Sequence, residues 1–115
     1  MVTDQELKHI ISTQYVILVK PNCPFCSASY RLFDQLVDSK VISEYSIYSV
    51  NYDFSNQQLH NLCTQFGWQP DGDQDFPTKP QIFMKGEYIG GNSEFYRSNW
   101  NIGTGKPNLK NPMRF

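Results

Sequence analysis

A chain of 115 residues is long enough for one domain around a single core, and it contains no internal repeat or low-complexity tract. Its net charge of -1 gives no electrostatic basis for binding nucleic acid, and no apolar run approaches the ~20 residues of a membrane span. Three cysteines, an odd and small set, together with an N-terminus that lacks a signal-peptide apolar core, argue against a secreted disulfide scaffold and for a reducing, cytoplasmic setting.

Thr3-Asp4-Gln5-Glu6 is a helix start, with Thr3 as cap and Glu6 placed to reach back to it. Leu7, Ile10 and Ile11 then recur at helical spacing, and this first helix is predicted to end near Ser12. Tyr15 to Lys20 is a short apolar run of the kind found in a strand covered on both faces, and Pro21-Asn22 breaks it.

Cys23-Pro24-Phe25-Cys26 follows at the junction between that strand and an amphipathic segment. Pro24 suits the first helical position, where a missing N–H costs nothing and the fixed φ is already helical. The Cys23 thiol then faces the orphan N–H groups and the positive end of the helix dipole. A free cysteine titrates near ~8.5, and sites of this kind lower that to roughly 3.5–7.5. Lys20 adds a cation at the same mouth, so a nucleophile at neutral pH has a second thiol within one helical turn.

The helix is predicted to run to about Asp38, with Ala28, Leu32, Phe33, Leu36 and Val37 inward. Tyr45 to Val50 alternates as a strand, with Tyr45 and Ile47 on one face and Tyr48 and Val50 toward the other. Ser55 caps a third helix through Leu59, Leu62, Cys63 and Phe66, stopped by Gly67. Trp68 to Pro77 is a loop. Gln81–Met84 and Glu87–Ile89 are strands joined by a Lys85-Gly86 turn. Gly90-Gly91 precedes Asn92-Ser93, which caps a short helix over Glu94 to Ser98, and beyond Trp100 the pattern is lost. The expected architecture is α/β: a small mixed four-stranded sheet with helices on both faces, its first two strands parallel and its last two antiparallel. Residues 1–100 form the domain, and 101–115 an irregular C-terminal tail.

The apolar strand, Lys20, Cys23-Pro24-Phe25-Cys26, Thr78-Lys79-Pro80 and Gly90-Gly91-Asn92-Ser93-Glu94, in that order, resemble a dithiol glutaredoxin of the thioredoxin superfamily over roughly residues 3 to 98. The resemblance implies a thioredoxin-like fold and a glutathione-dependent thiol–disulfide oxidoreductase. It implies that Cys23 is the exposed nucleophile and Cys26 the more buried resolving thiol. Pro80 would be a cis-proline that turns the backbone of Lys79 toward glutathione, with Phe25 beside the same groove. Gly91, Asn92 and Ser93 would hold the γ-glutamyl carboxylate, Glu94 would meet its amine, and Lys20 the glycyl carboxylate, with Gln58 a weaker candidate for that end. No cofactor is bound and no metal is needed; glutathione is the co-substrate. Implied partners are disulfide-containing or glutathionylated proteins, ribonucleotide reductase among them, and the chain would act as a monomer.

The chain departs from the family pattern at Phe25, in place of the usual tyrosine, and at Lys79, in place of an apolar residue. The loop from Gly67 to Pro77 is longer than usual, and the long final helix is missing or replaced by the tail. Other readings compete. A thioredoxin-like electron donor re-reduced by a flavoprotein reductase would not need the Gly90–Glu94 motif. An iron–sulfur cluster carrier is disfavoured by Pro24, and a noncatalytic adaptor by the intact cysteine pair. A zinc site would need a second close pair, which Cys63, His9 and His60 do not supply. Cys63 reads as a packed core thiol and His60 as a solvated helix residue. Asp71, Asp73 and Asp75 form a solvated loop that lacks the glutamate of a calcium site. Trp68, Phe76, Tyr88 and Phe95 read first as packing residues.

Overall fold

In the first helix, α1 (Asp4–Thr13), the Thr3 hydroxyl accepts from Glu6 N–H at 3.0 Å, while the Glu6 carboxylate accepts from Thr3 N–H at 2.9 Å. The computed structural model describes residues 1–70, 72 and 76–97. Asp71, Asp73 and Asp75, the end of the last helix at Ser98, and the tail at 101–115 lie outside the described residues.

β1 (Tyr15–Val19) follows, with Val16, Ile17 and Leu18 fully buried. Its lack of alternation is explained by its place: the sheet order is β2-β1-β3-β4, so β1 is interior and both faces are covered. β2 (Ser46–Ser49) pairs with it in parallel and forms one edge; β3 (Gln81–Met84) pairs with it antiparallel, and β4 (Glu87–Gly90) closes the other edge. β2 is shorter than predicted, because Tyr45 falls outside it and Val50 makes only an isolated bridge to Phe54. Ile47 is exposed, since an edge strand has less to cover it. The β3–β4 turn places both Lys85 (φ 49°) and Gly86 (φ 90°) at positive φ, the hairpin turn whose twist matches that of the strands.

α2 (Pro24–Asp38) buries Cys26, Ser29, Phe33 and Leu36. The predicted stripe is therefore rotated: Ala28, Leu32 and Val37 are only half-buried, and the small hydroxyl of Ser29 takes an inward place. α3 (Asn56–Gln65) starts with a second capping box, Ser55 with Gln58, and ends at Phe66 and Gly67, whose φ of 97° suits only glycine. α4 (Asn92–Arg97) begins after a single residue, Gly91, beyond β4.

The sheet separates two apolar clusters. Ile17, Val19, Ile82, Met84 and Ile89 pack with Phe33 and Leu36 of α2 and Phe95 of α4; Val16, Leu18 and Phe83 pack with Leu7 and Ile11 of α1 and Leu59, Leu62 and Cys63 of α3. Each fully buried large side chain contributes about 1.5–3 kcal/mol, so the two clusters fix both helix layers against the sheet. Among the described residues, no helix is long and apolar enough to cross a membrane.

Candidate active site

Cys23 is the N-cap of α2, with extended backbone (φ -114°, ψ 105°) and Pro24 next to it in the first turn. Its sulfur accepts the Cys26 N–H at 3.2 Å, so a thiol takes the part that a serine or aspartate oxygen usually takes at a helix start. A charge on that sulfur lies against donated N–H groups and the positive end of the helix dipole. Cys23 and Cys26 are joined as a disulfide, with Cα atoms 5.2 Å apart.

The expected exposed nucleophile is nearly covered: Cys23 is 7% exposed and Cys26 1%. The order of accessibility is the expected one, but its level is lower. The physical reason is the segment that crosses the sulfur. The Lys79–Pro80 peptide bond is cis, and the Lys79 carbonyl oxygen lies 3.7 Å from Cys23 Sγ.

Buried polar groups anchor that segment. Gln81, 3% exposed, donates from Nε2 to the Thr78 carbonyl at 2.7 Å and accepts the Tyr88 hydroxyl at 2.5 Å. Tyr88 in turn adjoins the Cys63 thiol. Burial pushes Cys63 up to about 12 and raises Tyr88 as well, so both stay protonated at neutral pH. The Lys79 ammonium donates to Asn56 Oδ1 at the start of α3 and to the Pro77 carbonyl at 3.4 Å. Burial, and then the charge of Lys20, lower its proton affinity, and Cys63 opposes them.

On the far side of the cis-proline, a Cβ on Gly91 would lie 3.4 Å from the Pro80 carbonyl oxygen and 3.5 Å from Glu94 Oε2. Glycine there lets the start of α4 lie close against the proline segment. The Asn92 side chain is committed elsewhere, because its Oδ1 accepts the Ser29 hydroxyl at 2.8 Å and ties α4 to α2. Ser93 is exposed and Glu94 half-buried.

The cis-proline segment and the start of α4 border a cleft of about 950 Å³, and the covered Cys23 and Cys26 are not among its lining residues. Lys20, Phe25, Lys79 and Pro80 line one part of it, and Gly91, Asn92, Ser93 and Glu94 another. Phe25 is 62% exposed at the rim. Gln58 is not among the lining residues: its Nε2 donates to the Val2 carbonyl at 2.8 Å and to Asp4 Oδ1 at 3.0 Å, so it is turned toward α1. Its role as the cap partner of Ser55 points it away from the cleft.

Asn56, Gln81 and Arg97 also line the cleft and were not expected from the sequence. Arg97 follows Ser93 and Glu94 by one helical turn, a spacing that could have exposed it; Gln81 reads in sequence only as the first residue of a strand. Trp68 and Phe76 form a further wall, and His60 packs edge-on to both rings, at 5.5 Å and 6.1 Å between centroids. His60 is thus a half-buried packing residue and not the solvated one expected. Cys63 belongs to the cluster on the opposite face of the sheet from Cys23 and Cys26.

No family model matches the chain, and no curated protein matches it in sequence. Its fold is similar to the crystal structure of oxidized glutaredoxin 2 from Chlamydomonas reinhardtii, with a TM-score of 0.58 at 12% identity over 88% of this chain and 85% of that one. The mixed four-stranded sheet with helices on both faces is thus a thioredoxin-like fold.

Proposed function

We propose that the chain is a glutathione-dependent thiol–disulfide oxidoreductase of the glutaredoxin kind, acting through Cys23 and Cys26 in a reducing compartment. The observation that carries this reading is Cys23 itself: an N-cap sulfur that accepts the Cys26 N–H at 3.2 Å, beside a cis-proline segment at the edge of a cleft.

In the reduced enzyme, the Cys23 thiolate attacks one sulfur of a disulfide. A bond forms between Cys23 and that sulfur, and the other sulfur leaves as a thiolate that takes up a proton. With a protein disulfide, the Cys26 thiolate then attacks Cys23, releases the second substrate thiol and closes the Cys23–Cys26 bond. Two electrons have passed from the enzyme to the target. Two glutathione thiols restore the dithiol and leave as glutathione disulfide. With a glutathionylated target, glutathione attacks the enzyme mixed disulfide directly, and Cys26 is not required.

The cleft is of a size that takes a tripeptide; pockets for small molecules span about 300–1,000 Å³. The backbone of Lys79 would pair with the cysteinyl unit as an added strand does. The α4 start at Asn92 and Ser93 would receive the γ-glutamyl carboxylate through N–H groups and the Ser93 hydroxyl, Glu94 its amine, and Lys20 the glycyl carboxylate.

A coupled assay tests the reading. The purified chain is given a mixed disulfide of glutathione, with glutathione and glutathione reductase as the electron supply, and separately with a thioredoxin reductase alone. Turnover with glutathione only is the expected result. Turnover with the flavoprotein reductase only would transfer the chain to the thioredoxin type of donor.

A further inference from the structure

We infer that Asn56 is a positioning residue for the reacting sulfur: as acceptor of the Lys79 ammonium it ties the segment that covers Cys23 to the start of α3, and so sets how readily Cys23 is reached. The inference rests on the thiol–disulfide reading above only in that Cys23 is the reacting sulfur.

The tie begins with where the ammonium sits. A lysine ordinarily carries its charge out to water on a flexible stem. Lys79 is instead half-buried, where burial and the charge of Lys20 both act against its own charge. It donates to neutral oxygens, Asn56 Oδ1 and the Pro77 carbonyl at 3.4 Å, and no carboxylate pairs with it among the described residues. The bond to Pro77 folds the side chain back on its own segment and closes a ring through the backbone of Pro77, Thr78 and Lys79. The bond to Asn56 pins that ring to another element, 23 positions away in the chain.

α3 is a firm post for it. Asn56 is the first residue of α3, next to the cap Ser55, and Gln58 of the same capping box binds the helix to Val2 at 2.8 Å and to Asp4 at 3.0 Å. Leu59, Leu62 and Cys63 bury the following turns against the sheet. The covering segment is thus held from two sides: from the sheet by Gln81, which donates to the Thr78 carbonyl at 2.7 Å, and from α3 by Asn56. The Lys79 carbonyl, 3.7 Å from Cys23 Sγ, belongs to the segment so held. Cutting the α3 hold frees that carbonyl to move off a sulfur that is only 7% exposed.

The test is the rate at which iodoacetamide, a neutral reagent, alkylates Cys23 in the reduced full chain, followed by mass spectrometry. The rate per ionised Cys23 is taken from the pH profile below the range where lysines titrate, so that it reads access and not ionisation. Asn56→Ala and Lys79→Met are each expected to raise it by roughly threefold or more, the least expected from losing a charge-assisted hydrogen bond in a half-buried place, and the double variant no further than either single one. Lys79→Arg and Asn56→Asp keep a donor and an acceptor and are expected to stay within about twofold of wild type. Asn56→Leu, similar in size and without an acceptor, takes the place of Asn56→Ala if urea melts show that variant unfolded. A wild-type rate in the folded Asn56 variant overturns the inference. So do gains that multiply in the double variant, which would mean that the two residues act apart. The readout does not depend on turnover. A chain that reduces no disulfide yet shows the tied behaviour sinks the thiol–disulfide reading and leaves the tie standing; an active chain with the wild-type alkylation rate in every variant sinks the tie alone.

Discussion

The carbonyl oxygen of Lys79 lies 3.7 Å from the sulfur of Cys23, although 56 positions separate the two in the chain. The sulfur is therefore held between opposites: the Cys26 N–H at 3.2 Å favours a negative charge on it, and the carbonyl dipole favours a proton. The helix side contributes several aligned N–H groups and the carbonyl only one dipole, so the thiolate is expected to win at neutral pH. The same carbonyl belongs to the backbone that would pair with a bound peptide, which couples substrate docking to the reacting atom.

The cysteines are expected to separate in function. Cys23→Ser should abolish turnover of every disulfide. Cys26→Ser should lose reduction of protein disulfides and retain reduction of glutathione mixed disulfides. Parallel assays on a disulfide-bonded protein and on a glutathionylated one check this; equal loss of both activities in Cys26→Ser would exclude the direct glutathione route.

Gln81 and Tyr88 are expected to hold the cis-proline segment under the sulfur. Gln81→Leu removes the donor to the Thr78 carbonyl and the acceptor of the Tyr88 hydroxyl, and Tyr88→Phe leaves Gln81 Oε1 without that donor. Each change should cost about 1–3 kcal/mol in urea unfolding, the price of a buried polar group left unmatched, together with a fall in kcat/KM. A change of less than a few tenths of a kcal/mol in either variant would show that the network anchors nothing.

Alkali should unfold the protein through buried acids. Cys63 is raised from an ordinary 9.0 to about 12, and Tyr45 from 10.0 to about 12, both first of all by burial; Tyr88 and Tyr30 shift in the same direction. Below pH 9, folded and unfolded chains both keep these protons, so these groups add no pH dependence. Between pH 9 and about 12 the unfolded chain releases protons that the folded chain retains, and stability falls with rising pH. Cys63 alone accounts for at most about 1.4 kcal/mol per pH unit in that window. Urea melts at several pH values should show the decline, and Cys63→Ser should make it shallower. A stability that is flat to pH 11 would contradict the burial of these groups.

Ser29→Ala should loosen α4 from α2. The Ser29 hydroxyl donates to Asn92 Oδ1 at 2.8 Å from a fully buried position, and its loss leaves that oxygen unmatched by it at the start of α4. The expected cost is about 1 kcal/mol in stability, with a rise in KM for glutathione mixed disulfides. An unchanged KM would mean that the α4 start does not contribute to substrate binding.

The sequence made the elements legible where local chemistry decides them. The Thr3 and Ser55 caps, the unbroken apolar run of β1 and the Lys85-Gly86 turn each depend on neighbours a few residues away. The position of Cys23 at the start of α2 was legible for the same reason. The rest depends on packing between distant segments. The rotation of α2 that brings Ser29 inward follows from Asn92, and the cover over Cys23 follows from Lys79. Gln58 matched a cleft position by its place on α3, yet its capping role turns it away. Gln81 and Tyr88 carry no motif of their own; only the hairpin pairing brings them together.

The most direct test of the proposed chemistry is the pH dependence of Cys23 alkylation in the reduced chain, followed by mass spectrometry with and without glutathione disulfide. The expected result is a half-point well below the ordinary ~8.5 of a free thiol, reaction at Cys23 before Cys26 and Cys63, and protection of Cys23 by glutathione disulfide through a mixed disulfide. A half-point at or above ~8.5, with no protection, would contradict it.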